Sequence, residues 1–400
     1  MYKTLSLAAA ALFAFAPAAM LTAAPEPIVV TKTVRTNPTL YFQGVPGDGE
    51  LTRQMRSFLG ACGWFDLSGD PKAEYVLSGR RESGRAVFTL TTGGAPAGSW
   101  GIPLTGNSRR MAQQMVDAII QNTFKELKVK GFCSTKIAFC AETASGVKNI
   151  YACDIDGGNV EQITNYNALC VEPCWFPDGK AIGYSKYNRT GIDVIETRLN
   201  PKRSRVLTAF RGINTGAAIS PDGRNLAVIL SPDHKVDLYV MPIGGRTPRR
   251  LTNSIAVEAS PCWSPDGREI AFVSDETGVP KINIISADGR NRRVLKSVGS
   301  DAVTPDWSGD GKIVYATRVE GVYTIAVYDL KTGENTRITQ EPGVWESPAW
   351  AADNRQVVCK RSDGRRSALY VIDSWTGKTR LLVSTPYNLS MPAWSRAGSR

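Results

Sequence analysis

Pro261-Cys262-Trp263-Ser264-Pro265-Asp266-Gly267-Arg268 is a tight polar turn flanked by apolar residues, and the chain returns to it at a nearly fixed interval. The other copies are Pro173-Cys174-Trp175-Phe176-Pro177-Asp178-Gly179-Lys180, Ile219-Ser220-Pro221-Asp222-Gly223-Arg224, Pro305-Asp306-Trp307-Ser308-Gly309-Asp310-Gly311-Lys312, Pro348-Ala349-Trp350 and Pro392-Ala393-Trp394-Ser395. With the Trp position as marker, and Ile219 replacing it once, the copies fall at 175, 219, 263, 307, 350 and 394, in steps of 44, 44, 44, 43 and 44 residues.

Between copies the apolar residues alternate with period two and helical spacing is missing. Second strands read at Ile137-Ala138-Phe139, Ile182-Gly183-Tyr184, Leu226-Ala227-Val228, Ile270-Ala271-Phe272, Ile313-Val314-Tyr315 and Val357-Val358. Fourth strands end at Ile163, Leu207, Leu251, Leu295, Ile338 and Leu381. Four short strands in a unit of about 44 residues, punctuated by turn residues, predict a β-propeller blade. The Asp-Gly pair supplies the hairpin turn because Gly takes positive φ without steric cost. Asp178, Asp222, Asp266 and Asp310 are therefore read as turn residues, and the Trp residues as wedges between neighbouring sheets.

The ends of the array complete each other. The first set, 137–164, has no preceding Pro-x-Trp strand, and the last such strand has no blade after it. The reading is an all-β six-bladed β-propeller of four-stranded blades, with the ring closed by the C-terminal strand so that no sheet edge stays open. Residues 131–400 are assigned to it.

Upstream, residues 25–130 read as a small α/β domain with an extended N-terminal arm. Leu51, Met55, Phe58, Leu59 and Cys62, in the stretch 51–65, have the spacing of an amphipathic helix closed by Gly63. The stretches 74–79 and 85–90 form a hairpin, 93–98 is read as a loop, and 100–104 as a third short strand. Ser108 is read as the cap of a second helix carrying Met111, Met115, Val116, Ile119 and Ile120. Residues 1–24, with Lys3 ahead of an apolar run and small residues at its end, read as a secretory signal peptide.

A hydrophobic content of 42% with 21% charged residues is globular. The net charge of +11 comes from scattered cations, with short clusters such as Lys202-Arg203-Ser204-Arg205, and reads as a solvated basic surface with no nucleic-acid partner. Eight cysteines show no Cys-x-x-Cys spacing, so no metal site is expected. Cys174 and Cys262 share one repeat slot, Cys140 and Cys359 read as small core residues, and a local Cys170–Cys174 bridge is the one pairing the spacing raises. The single histidine, His234, lies in a polar loop, and neither a Gly-x-Ser-x-Gly elbow nor a phosphate loop occurs. No catalytic residues, cofactor or metal are assigned.

In a propeller the connections from a fourth strand to the next first strand emerge at one end of the channel and escape the constraint of the repeat. Here they carry Glu172, Asn214, Thr215, Glu258, Ser260, Asp301, Thr304, Glu341, Glu346 and Ser347. A ring of acceptors at a channel mouth suits a peptide or a protein loop.

The signal segment, the small α/β domain, the helix running into Gly131-Phe132-Cys133-Ser134-Thr135-Lys136-Ile137-Ala138-Phe139, the six repeats and the terminal Pro392-Ala393-Trp394-Ser395 together resemble the TolB family, the periplasmic propellers of the Tol-Pal system. The resemblance covers essentially the whole chain after the signal segment. It implies a non-enzymatic periplasmic protein, expected as a monomer, that binds the peptidoglycan-associated lipoprotein Pal at the propeller mouth and contacts TolA through its N-terminal arm. It would thereby be peripheral to the outer membrane and support its integrity and its constriction at division. Carried over by position, Glu172, Asn214, Thr215, Ala259, Ser260 and Thr304, with Glu258, Glu346 and Ser347 in the same connections, would face Pal. Ile28, Val29, Val30, Lys32, Val34 and Arg35 would face TolA. The cations Lys32 and Arg35 and the number of cysteines depart from the family pattern. The competing reading, a propeller-containing peptidase or carbohydrate-processing enzyme, requires a catalytic domain for which residues 25–130 offer no nucleophile and base.

Overall fold

A computed structural model describes residues 36–396, so the signal segment and all six arm residues from Ile28 to Arg35 lie outside the described residues. The chain divides into two compact units. One comprises residues 36–136 with Cys153–Val160, the other Ile137–Ala152 with Glu161–Arg396.

The first unit is a five-stranded sheet with two helices. β1 (Thr39–Gly44) leads into α1 (Gly49–Ala61), β2 (Asp66–Leu67), β3 (Tyr75–Glu82), β4 (Arg85–Thr92), β5 (Ala95–Pro103) and α2 (Ser108–Thr123). The order across the sheet is β2-β1-β3-β4-β5, with β1 parallel to both neighbours. α1 forms because Leu51, Met55, Phe58 and Leu59 fall on one face, all buried, and because the Asp48 side chain accepts the Leu51 N–H.

Two local expectations are corrected. The cap of α2 is Asn107, whose Oδ1 accepts the Arg110 N–H at 2.9 Å, and Ser108 is already helical. α1 itself ends at Ala61 with Cys62 as its C-cap, and Gly63, the residue expected to close it, takes φ +70° just beyond. Residues 93–98 are not a loop: Gly93 and Gly94, at φ +55° and +81°, make a two-residue hairpin turn, and β5 starts at Ala95. Pro96 is tolerated there because β5 is an edge strand.

The second unit is a six-bladed ring of four-stranded sheets. The inner strands, in blades two to six, are Cys170–Trp175, Asn214–Ile219, Glu258–Trp263, Ala302–Trp307 and Val344–Trp350. Blade one takes its inner strand from the C-terminus: Asn388–Trp394 pairs antiparallel with Lys136–Ala144. Each inner strand touches the next, and Asn388–Trp394 touches Cys170–Trp175, so the ring closes as expected.

Adjacent blades share their cores. Separate clusters join blades one and two, two and three, three and four, four and five, and five and six. Trp263, Trp307 and Trp350 are buried in these seams, and Trp394 on the ring-closing strand is buried as well. Removing an aromatic of this size from water is worth about 4–6 kcal/mol before entropy is counted. The indole N–H of Trp263 donates to Ala218 O at 3.0 Å, and that of Trp175 to Ala393 O at 3.1 Å, each on the inner strand of the preceding blade. The wedges therefore also pin strand to strand.

The end opposite the connections is built by the repeated turn. Asp222 Oδ1 accepts from the Ser220 hydroxyl and the Arg224 amide, and Asp266 does the same with Ser264 and Arg268. These bonds hold both carboxyls below the usual carboxylate range, the serine hydroxyl contributing most. Gly179, Gly223, Gly267 and Gly311 all have positive φ, as the turn requires.

Candidate protein-binding site at the channel mouth

Each inner strand carries the same irregularity. Glu172, Gly216, Ser260, Thr304, Ser347 and Met391 have φ of +56°, +60°, +49°, +49°, +52° and +51°. At each of them the ladder to the second strand slips, as between Ala259 and Cys262 or between Val303 and Asp306. Five of the six precede a proline, which has no N–H to give the ladder, so the pair bulges out of register. The result is a ring of left-handed residues around the channel, one per blade, just inside the mouth.

The nine sequence-predicted mouth residues lie on or beside this ring, but their side chains are not a free set of acceptors. Glu172 Oε2 accepts from the Ser185 hydroxyl at 2.8 Å, from the Gly216 N–H at 2.9 Å and from the Thr215 hydroxyl. It fastens blade two to blade three, and it uses Thr215 in doing so. Glu346 pairs with Lys360 at 2.6 Å.

Asn214 is 1% exposed and accepts and donates to the backbone of Phe210, which fixes the connection beside it. Glu258, also 1% exposed, is packed against Ser274 and Arg292, whose guanidinium lies 3.8 Å from Oε1. Asn214 and Glu258 are thus corrected from contact residues to supports. Ala259, Ser260, Thr304 and Ser347 are half-buried and line the ring. The Thr304 hydroxyl is buried with no hydrogen-bond partner.

Burial dominates the Glu258 carboxyl and pushes it up to about 7, with the nearby charges of Asp237 and Glu276 adding to the effect and Ser274 and Arg292 opposing it. The same end of the ring carries a residue that sequence reasoning passed over. Ile255, in the connection leading to Glu258, is 99% exposed. Its one sequence signal was a large aliphatic residue inside the polar run Asn253-Ser254-Ile255-Ala256.

The thiols are held inert. Cys140, Cys170 and Cys174 are free, and burial pushes them up to about 12, 11 and 12, the opposite of an activated nucleophile. Cys170 and Cys174 lie along one strand, about 13 Å apart by strand rise, too far for a bridge. His234 is an exposed loop residue, and among the described residues no group of His, Cys, Asp or Glu is disposed to hold a metal.

A closed ring of six sheets with irregular residues at one end defines a six-bladed propeller with its variable surface at the channel mouth. Residues 125–398 match the family model described as the TolB beta propeller domain, and the chain belongs to that family. It is 34% identical over 121 residues to the Tol-Pal system protein TolB of Desulfosudis oleivorans, covering 30% of this chain and 27% of that one. It is 32% identical over 145 residues to the protein of the same name from Anaeromyxobacter dehalogenans, covering 36% and 32%. The chain thus spans under a third of the length of these curated relatives. In fold it is similar to TolB from Acinetobacter baumannii, with a TM-score of 0.81, 21% identity, and 92% of this chain and 98% of that one covered. A putative TolB from Agrobacterium tumefaciens gives 0.51 at 21% identity, over 64% and 90%.

Proposed function

We propose that this protein is a periplasmic, non-enzymatic scaffold of the Tol-Pal system that docks a Pal-like lipoprotein at the propeller mouth and a TolA-like protein through residues 25–36. Family membership supports the system. The observation that carries the docking end is the contrast between the two ends of the ring. One end repeats a self-satisfied Ser-x-Asp-Gly turn. The other offers different side chains at six equivalent left-handed positions and the fully exposed Ile255. Exposed aliphatic groups beside half-buried small polar residues make an anchor-and-rim surface of the kind that protein partners use.

The test is retention of the soluble domain of the organism's Pal homologue by the purified protein. Ile255→Asp and Ala259→Arg are expected to weaken retention at least tenfold while leaving the thermal midpoint within a few degrees. Reversing Glu172 would be a poorer test, because its three donors would lose their acceptor and the seam would open. Deleting residues 25–36 is expected to abolish retention of the TolA homologue's soluble domain and leave Pal binding intact. Absence of Pal retention by the unmodified protein overturns the proposal.

A further inference from the structure

Beside the Glu172 staple, at the junction of blades one and two, the mouth opens into a cleft of about 460 Å³ lined by Tyr166, Asn167, Lys186, Tyr187 and Arg189 among others. Its volume falls in the range of sites that hold small molecules or peptide side chains. The floor is fixed. Asn149 clamps Tyr166 through its backbone N–H and C=O, at 2.9 and 3.0 Å, and the Tyr187 N–H donates to Leu169 O at 2.9 Å.

Lys186 is the unusual member. Other half-buried cations of the propeller have carboxylate partners, Lys148 with Glu142, Arg250 with Asp237, Arg292 with Glu276 and Lys360 with Glu346, while Lys281 donates to the Gly299 carbonyl at 3.2 Å. The Lys186 ammonium instead lies 4.0 Å from the centre of the Tyr166 ring and, among the described residues, forms no ion pair. A ring face compensates only part of the hydration that a half-buried ammonium loses. Arg189, exposed on the adjoining hairpin, adds a second positive charge to the same cleft. Glu172 lies close enough to the Tyr187 phenol for its charge to reinforce the rise that burial causes, so the cleft is continuous with the ring of mouth residues.

We infer that this cleft receives an acidic side chain of the protein segment that docks at the mouth, its carboxylate pairing with Lys186 and Arg189 and its neighbouring apolar atoms packing on Tyr166 and Tyr187. The inference rests on the mouth being the docking end, and it names the chemistry the partner must bring there. A carboxylate supplies the counter-charge that the propeller provides to Lys148, Arg250, Arg292 and Lys360 and withholds from Lys186. A cation would be repelled, and a purely apolar segment would leave both charges buried without a partner.

The experiment is a titration of the soluble domain of the Pal homologue against the wild-type protein, Lys186→Met, Ile255→Asp and, as a control on the opposite end, Arg224→Met. A second arm uses fluorescein-labelled peptides that carry Asp or Glu beside Phe, Tyr or Leu, each paired with its Asn or Gln counterpart. Lys186→Met is expected to melt as the wild type does, to weaken the lipoprotein domain at least tenfold, and to erase the preference for acidic over amide peptides; Arg224→Met changes neither. If Ile255→Asp loses binding while Lys186→Met stays within twofold of wild type, the cleft assignment is overturned and the docking end stands. If the lipoprotein domain fails to bind but Lys186-dependent acidic peptides do, the cleft stands and its partner is another protein. If no peptide discriminates and Lys186→Met binds normally, the inference fails.

Discussion

The Arg396 guanidinium lies 3.0 Å from the Asp306 carboxylate, which joins the end of the ring-closing strand to the inner strand of blade five. Arg396 also reaches Ala351 O on blade six, at 3.4 Å, so one side chain from blade one touches the two blades behind it. Asp306 has a second duty, since its Oδ2 accepts the Trp350 N–H at 2.6 Å. The two partners should therefore be unequal in value. Arg396 is substantially exposed, and Arg396→Ala is expected to cost well under 1 kcal/mol. Asp306→Ala strands a backbone donor within the seam and is expected to cost about 1–3 kcal/mol. Urea midpoints of the two variants check the order, and equal losses would remove Asp306 from its second role.

Removing residues 388–400 should do far more harm than any point substitution. Lys136–Ala144 would lose its partner strand, and with it the contacts of Leu389 and Trp394, both buried. Such a chain is expected to aggregate and to unfold without a single cooperative transition. A synthetic peptide covering 386–400 should restore the transition in trans. Calorimetry with and without the peptide decides it, and a truncated chain that melts cooperatively alone would show that the closing strand is dispensable.

The left-handed ring predicts stabilising substitutions. Thr304 is β-branched at φ +49° and Ser347 lies at +52°, whereas blade three places Gly216 at the same position. Thr304→Gly and Ser347→Gly are expected to gain about 0.5–1 kcal/mol, because relief of strain exceeds the added freedom of the unfolded chain. Gly216→Ala should lose stability, since a Cβ there would meet Ile229 Cγ1 and Pro261 Cδ, each at 3.2 Å. Chemical denaturation of the three variants measures both signs.

Glu258 makes stability depend on pH. Its folded-state carboxyl titrates near 7, above the ordinary value of 4.5, so the folded protein holds this proton more tightly than the unfolded chain does. This contribution to stability is complete below pH 4.5, falls as the pH rises through 7 and is flat above that. The shift corresponds to about 3 kcal/mol. Glu258→Gln should remove the slope and melt higher than wild type at pH 8 relative to their difference at pH 5. Parallel melting curves for the two proteins across this range would rule out Glu258 as the titrating group.

What could be read from the sequence was whatever recurs. The Trp positions at steps of 43 or 44 residues specify the blades, and the mismatch between 137–164 and 392–395 specifies the closure. The bulge was also written there, in the proline that interrupts five inner strands, but a proline read as a strand start hides the slip behind it. The state of the mouth residues was not legible. Whether Glu172 is free depends on Thr215 and Gly216, more than forty residues away, and whether Glu258 is covered depends on Ser274 and Arg292, well down the chain in the same blade. Near Asn107 the signal was ambiguous, because Asn and Ser are both good caps and only the backbone decides between them.

The ring of left-handed residues gives the mouth an economical way to vary. Six backbone sockets hold the same conformation whether they carry Glu, Gly, Ser, Thr, Ser or Met, so a change of side chain at 260, 304, 347 or 391 alters the surface offered to a partner without redirecting the strand beneath it. Specificity can thus be rewritten letter by letter on a frame that does not move, and grafting side chains at positions 260, 304, 347 and 391 would turn this propeller into a scaffold for selecting new binders, with Glu172 left alone as the seam's staple and Gly216 kept because a Cβ there has no room.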